Sequence, residues 1–447
     1  MATDRRRPFP ASVEAVVTSV VVVVLTAVFV PGLTGASEVR YAADAAAGLS
    51  AVPLVYQVRA SMPAVVQGAA IASVGRSIYA IGGIPAGAGA TNAVQVYDVA
   101  TDSWASGDAA PTARGGATCT AVGADIYVIG GYNPGPPWQE LSTVEVYSTV
   151  SHHWRSASDL PIVNTFGPES CVTVGGRIYS IGGYSQWTQH AEVFIFDTKH
   201  PERGWRRGRD KPTASSGFGT VAIDSKIWCI GGHTGQSIAN VEVYDTRTDR
   251  WCHRSDLDLQ TPLTNVAAAQ FYGNVYIFGG GYNYVTDQVL KLPWWRASWQ
   301  TAAPLPEGRN CLAEQHVGDW VYLLGGYDVN GLRGDMWRVR PAHPTGFGGG
   351  NVRVTSAVAA PARTGAEIVF SLTAPADVTV SVLNMAGRVV RVHRVEDAVQ
   401  AGTNGWWWNG MTEMGVRAPS GQYLVRIEAR AADGSRSAAV TGLRLTH

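Results

Sequence analysis

Cysteine is scarce in this chain: five residues in 447, scattered, with no Cys-x-x-Cys pair. That excludes a disulfide-framed scaffold and a structural zinc ribbon. An excess of charge of either sign is missing too. Lys plus Arg is 35 and Asp plus Glu is 35, so neither a basic nucleic-acid-binding surface nor an acidic solvating tail is expected. Charged residues make up only 16% and hydrophobic ones 46%, too apolar a mixture for a disordered chain. The chain lacks a P-loop, a dinucleotide fingerprint, a Ser–His–Asp order and zinc-ligand spacing. No cofactor and no metal are therefore expected. Glycine (51) and proline (23) are abundant, which reads as many short strands joined by turns. The length is enough for two or three compact domains.

The N-terminus reads as an export signal. Arg5, Arg6 and Arg7 precede an uncharged, Val-rich run from Ala15 to Val30, broken by Pro31 and Gly32. Small residues then offer a cleavage site after Ser37. An uncleaved anchor is the rival reading. The expected location is periplasmic, cell-surface or extracellular. Removing residues 1–37 takes out three Arg, one Asp and one Glu, so the remainder stays within one charge of neutral.

The main signal is periodic. Gly-Gly pairs begin at Gly82, Gly130, Gly182, Gly231, Gly279 and Gly325, spaced by 48, 52, 49, 48 and 46 residues. Each ends a short β-branched or aromatic strand such as Ile126-Tyr127-Val128-Ile129. A Trp follows 19 to 23 residues beyond the second Gly in five units, at Trp104, Trp154, Trp205, Trp251 and Trp299. This pattern resembles the kelch family of β-propellers. The resemblance implies a six-bladed propeller over residues 53–340, preceded by a linker at 38–52. One four-stranded sheet cannot bury both faces alone, and radial stacking buries them. The sixth unit lacks its Trp-Pro element, but Tyr56 stands seven residues before Pro63 as Trp104 stands before Pro111. The segment Pro53–Ala60 is therefore expected to close the ring as the outermost strand of the last blade.

Residues 341–350 read as a Gly/Pro linker. Beyond it, Glu367–Leu372, Val378–Leu383, Arg388–Val392 and Tyr423–Ile427 alternate in hydropathy, which suggests an antiparallel sandwich over 351–447. Ala386-Gly387-Arg388, Trp408-Asn409-Gly410 and Ser420-Gly421-Gln422-Tyr423 resemble the Ig-like domain of flagellar hook-capping proteins and the sorting domains of type IX secretion substrates. The resemblance implies a bacterial, exported protein whose last module tethers, sorts or spaces the propeller. The fold class expected for the whole chain is all-β: a six-bladed propeller closed by an N-terminal strand, plus an Ig-like β-sandwich.

In a kelch blade the D–A and B–C connections open on one face. They offer Tyr132, Trp138, Tyr184, Trp187, His233, Tyr282, Tyr284 and Tyr327, with Arg114, Asn164, Asn265 and Arg309 between them. Aromatic planes stack on sugar C–H faces, and Arg forks hydrogen bonds to hydroxyls or carboxylates. The set is read as a ligand-binding face for a glycan or surface polymer, or for a protein ligand. Any single aromatic also fits a packing role within its own loop. On the inner strands, eleven residues before each first Gly, five units have Ile71, Cys119, Cys171, Thr220 and Ala268, and the sixth has Glu314. His316 lies two residues on, on the same side of a strand. The pair fits acid–base catalysis or a structural hydrogen bond, for instance from Glu314 to Gln270. Kelch relatives include sialic acid epimerases, so a metal-independent sugar epimerase or lyase is the alternative to a binding protein.

Overall fold

The computed structural model describes residues 38–40, 54–134, 139–164, 170–271, 274–282, 284–293, 298–318, 320–341, 352–362, 365–374, 376–399, 402–413, 415–431 and 433–446. The segment read as an export signal, Trp138 and nearly all of the stretch read as a 341–350 linker lie outside them. The described chain is β-structure apart from two short 3-10 turns.

Six antiparallel sheets follow one another among the described residues. Blade 1 is Ala70–Val74, Ser77–Ile81, Val94–Asp98 and Ser103–Gly107. Blade 2 begins at Thr118–Val122, blade 3 at Cys171–Val174, blade 4 at Gly219–Ile223 and blade 5 at Ala267–Phe271. Blade 6 is Ala313–Val317, Trp320–Leu324 and Met336–Pro341, completed by Leu54–Arg59. Each first strand packs beside that of the next blade, and the sixth packs beside the first. The ring is closed, and the N-terminal strand closes it as expected. Glu38–Arg40, inside the segment read as a linker, pairs outside this strand as a fifth.

The repeat residues explain the stacking. Each repeat Trp lies on an outermost strand, or for Trp299 directly before it, and donates its indole N–H to a carbonyl of the preceding blade. Trp104 reaches Ala60 O at 2.8 Å, Trp154 Asp108 O at 3.0 Å and Trp205 Ser158 O at 2.8 Å. Trp251 reaches Arg209 O at 2.8 Å and Trp299 Leu257 O at 2.7 Å. In blade 6 Tyr56 takes this place, and its hydroxyl donates to Ala303 O at 3.1 Å. The indoles of Trp104, Trp154, Trp205 and Trp251 also pack on an aromatic ring of the neighbouring strand, with centroids 5.0–5.3 Å apart. The Gly-Gly pairs work at the other end of the blade. Gly279 has φ +61°, and a Cβ there would sit 2.2 Å from Arg309 O. The next amide, Gly280 N–H, donates to the same carbonyl at 2.8 Å. Only glycine tolerates both the left-handed backbone and the close approach.

The last domain has seven strands in a three-stranded and a four-stranded sheet that enclose one core. Trp408 is fully buried there; its indole N–H donates to Met411 O at 2.8 Å and its ring meets Tyr423 edge-on. Of the Trp406–Trp408 run, it is the one that anchors the sandwich.

Candidate functional site

The loop residues after three Gly-Gly pairs are tied by backbone to the incoming D–A loop. Tyr132 pairs with Gly115, His233 with Ser216 and Tyr327 with Asn310, each by two N–H···O bonds of 2.8–3.2 Å. This puts the B–C and D–A connections on one face of the ring.

The aromatic residues on that face differ in what they present. Tyr132 is buried, and Tyr327 is half-buried with its phenol pushed up to about 12 by burial. Tyr184, Trp187, His233 and Tyr282 instead line one groove of about 570 Å³, together with Glu140, Gln67, Gln189 and Asn265. His233 stacks on Tyr282 with centroids 4.4 Å apart and planes 24° apart. Burial lowers the His233 pKa, which favours the uncharged imidazole in the stack. Tyr282 is 56% exposed. Tyr284 is exposed outside the groove and donates its hydroxyl to Pro262 O at 3.4 Å.

Trp187 is 92% exposed. It lies at the tip of a continuous hairpin in which Arg177–Ser185 pairs with Thr188–Asp197. The two turn residues, Gln186 and Trp187, have φ +48° and +64°. Such a two-residue turn needs left-handed backbone at both positions and favours Asn and Gly. A Trp held there is strained, and strain of this kind concentrates at functional sites. The Gln186 N–H donates to the Glu140 carboxylate at 3.1 Å and 3.2 Å, which fixes the tip to blade 2.

Two expectations are corrected. Arg114 and Arg309 are not exposed ligand forks; they are 1% and 0% exposed. Arg114 donates to Gly130 O at 2.8 Å and to Thr143, and pairs with Glu145 at 2.9 Å. Arg309 donates to Gly325 O and forks onto Asp335 at 3.0 Å and 2.9 Å, with its guanidinium over the Trp337 ring. Each guanidinium ties a D–A loop to the blade it enters, and none of it faces a ligand. Asn164 is likewise buried, bonding Gly182 O and Tyr184 N.

Glu314 and His316 are not gathered into one enclosed site. Glu314 lines an axial cavity, and His316 is exposed, is not among that cavity's walls, and meets Phe271 edge-on. Gln315, between them, donates to Ile71 O at 3.1 Å.

One residue of the face, Cys311, was missed, whereas Asn265 was placed there by its D–A position. Fourteen residues before the first Gly, blades 1, 2 and 4 have Gly68, Gly116 and Gly217 at φ +61° to +62°, whereas blades 5 and 6 have Asn265 at +54° and Cys311 at +50°. Both line the groove and also a smaller apolar cavity of about 120 Å³ at the axis, walled by Phe218, Leu312 and Val66. Aligning the units on their glycines was the available signal.

A family model described as the KLHDC2/KLHL20/DRC7 Kelch-repeats domain matches residues 68–280, and one described as the FlgD Ig-like domain matches residues 356–433. This is a kelch-repeat propeller followed by a FlgD-type Ig-like domain. Among curated proteins, the kelch chain is 30% identical over 217 residues to Kelch-like protein 35 of Mus musculus, covering 44% of this chain and 34% of that one. It is 26% identical over 200 residues to Kelch-like protein 23 of Homo sapiens (43% and 33%) and 25% identical over 170 residues to Beta-scruin of Limulus polyphemus (35% and 18%). It thus spans about a third or less of the length of these relatives. A solved structure titled "Structure of YjhT" superposes with a TM-score of 0.54 at 16% identity, covering 62% of this chain and 95% of that one; it shares the fold.

Proposed function

We propose that this protein is an exported binding module whose propeller takes a saccharide segment of a glycan or surface polymer in the groove between Trp187 and Tyr282, while the Ig-like domain tethers or sorts it. The carrying observation is Trp187, an exposed indole held on a left-handed turn facing the same groove as the Tyr282–His233 stack. A sugar ring has an apolar C–H face and an equatorial rim of hydroxyls. The groove matches this with aromatic planes, the amides of Gln67, Gln189 and Asn265, and the Glu140 carboxylate. Its volume lies within the range of small-ligand sites. The separation of Glu314 from His316 favours binding over turnover.

Ligand-observed NMR on the full-length chain, with neutral and acidic sugars followed for hours, tests this. Saturation transfer without new resonances, lost in Trp187→Ala, is expected. New resonances that vanish in Glu314→Gln would make the protein a sugar-active enzyme instead. Silence from every sugar, with saturable binding of a protein segment at the same groove, would overturn the saccharide reading.

A further inference from the structure

Blade 6 puts a carboxyl group into the axial channel where blades 1–5 have Ile71, Cys119, Cys171, Thr220 and Ala268. Glu314 lines an axial cavity of about 290 Å³ with Ser73, Cys119, Thr120, Cys171 and Thr220. Its Oε2 is shut off from solvent and has no hydrogen-bond partner, and the same is true of Thr220 Oγ1. Other polar groups at this level are engaged: Thr120 Oγ1 with Thr173 Oγ1 at 2.9 Å, and Gln315 Nε2 with Ile71 O. Ser73 Oγ donates to His316 O at 3.4 Å and keeps its lone pairs free to accept.

Among the described residues, no Lys, Arg or His lines this cavity. The flanking inner strands, Ala70–Val74 and Ala267–Phe271, have no titratable side chain. The paired strand Trp320–Leu324 contributes Tyr322, which is buried in the core between blades. Cys119 and Cys171 are held as neutral thiols by burial. No protein cation shares the cavity with the carboxylate, and burial pushes the Glu314 carboxyl up to about 8. A buried carboxylate is neutralised or paired.

One carboxylate among hydroxyls is too few anionic ligands for a calcium cage, and the cavity is too roomy for the tight shell of magnesium. It suits a single positive charge that also donates hydrogen bonds. We infer that the axial cavity binds a small primary ammonium compound, with its nitrogen on the Glu314 carboxylate and its remaining N–H groups on channel hydroxyls. This site is separate from the loop-face groove and stands or falls without it.

Methylammonium chloride is the probe, titrated calorimetrically into the full-length chain from pH 6 to 9.5, with potassium chloride holding ionic strength. Two buffers of different ionisation heat count the protons. The expected result is one saturable site whose affinity rises about tenfold per pH unit up to about pH 8 and then levels, with one proton released per ligand below that pH. Glu314→Gln should abolish it. Glu314→Asp, which keeps the charge but withdraws it by one methylene, should bind more weakly while still releasing a proton. Absence of saturable binding at pH 9, binding that survives in Glu314→Gln, or displacement by equal concentrations of potassium would each overturn the assignment.

Discussion

The rim of the propeller and its loop face are built by opposite rules. At the rim one device recurs six times: an outermost-strand donor four or six residues before the carbonyl offered to the next blade, met by Trp in five blades and Tyr56 in the sixth. On the loop face the shared frame carries different residues from blade to blade. Among the described residues only blade 3 runs its B–C connection as a continuous hairpin, only blade 4 puts a histidine directly after its glycines, and blades 5 and 6 replace a left-handed glycine by Asn265 and Cys311. Repetition marks what holds a ring together, and departure from repetition marks what a ring can be used for.

The strongest way to break the comparison is at Arg114, which sits on the loop face but belongs to the scaffold. Arg114→Met strands the Glu145 carboxylate, 7% exposed at its side chain, and the Gly130 and Thr143 carbonyls. Removing one partner of such a buried pair costs about 3–5 kcal/mol. Chemical denaturation should show that loss. Any fall in ligand affinity should track the unfolded fraction, whereas a selective loss of binding in fully folded protein would return Arg114 to the site.

The axial carboxyl sharpens the contrast through pH. Glu314 has a carboxyl raised to about 8 in the folded chain against 4.5 for the ordinary group. The folded state holds the proton between these values and the unfolded state does not. Stability is therefore full below about pH 4.5 and is lost as pH rises through about 8, with a slope of about 1.4 kcal/mol per pH unit between them. In Glu314→Gln that slope should vanish, leaving the variant more stable than the parent at pH 8.5. Parallel melting-temperature profiles would sink the idea.

The two regions were also unequally legible in the sequence. The blades, their order and the closing strand follow from Gly-Gly and Trp spacing, because a periodic contact leaves a periodic trace. Even Tyr56 was readable from its distance to Pro63. Arg114 and Arg309 were misread because a D–A loop runs along the face while its long side chains turn inward beneath it; spacing reports where a backbone goes, not where a guanidinium ends. Cys311 escaped because it is marked only as an exception to a glycine register. Glu314 stood out by the same logic of exception, but its separation from His316 depends on the depth of each in the channel, which a period-two pattern does not encode.

At the rim, Tyr56→Phe removes one hydroxyl and its bond to Ala303 O while leaving the ring in the core. The lost bond is worth about 1 kcal/mol, so melting should fall slightly. The comparison predicts that Trp154→Phe, which removes the matching bond to Asp108 O, costs about the same, because both are one device. A Tyr56→Phe penalty several times larger would mean that closure of the ring is energetically special.

The smallest expected effect on stability is the one that best separates the regions. Trp187 is almost wholly exposed and sits at φ +64°, so its side chain contributes little burial and its backbone carries about 1 kcal/mol of left-handed strain. Trp187→Gly relieves the strain but gives the unfolded chain more freedom, and the two effects nearly cancel. The melting temperature should stay within about two degrees of the parent. If the saccharide reading holds, affinity should nevertheless fall at least tenfold, the loss of an aromatic stacking platform worth about 1.5 kcal/mol. A residue whose removal the fold does not register but the ligand does is placed for binding. If neither changes, the hairpin tip is an ordinary turn, and the groove's function rests on Tyr282 and His233.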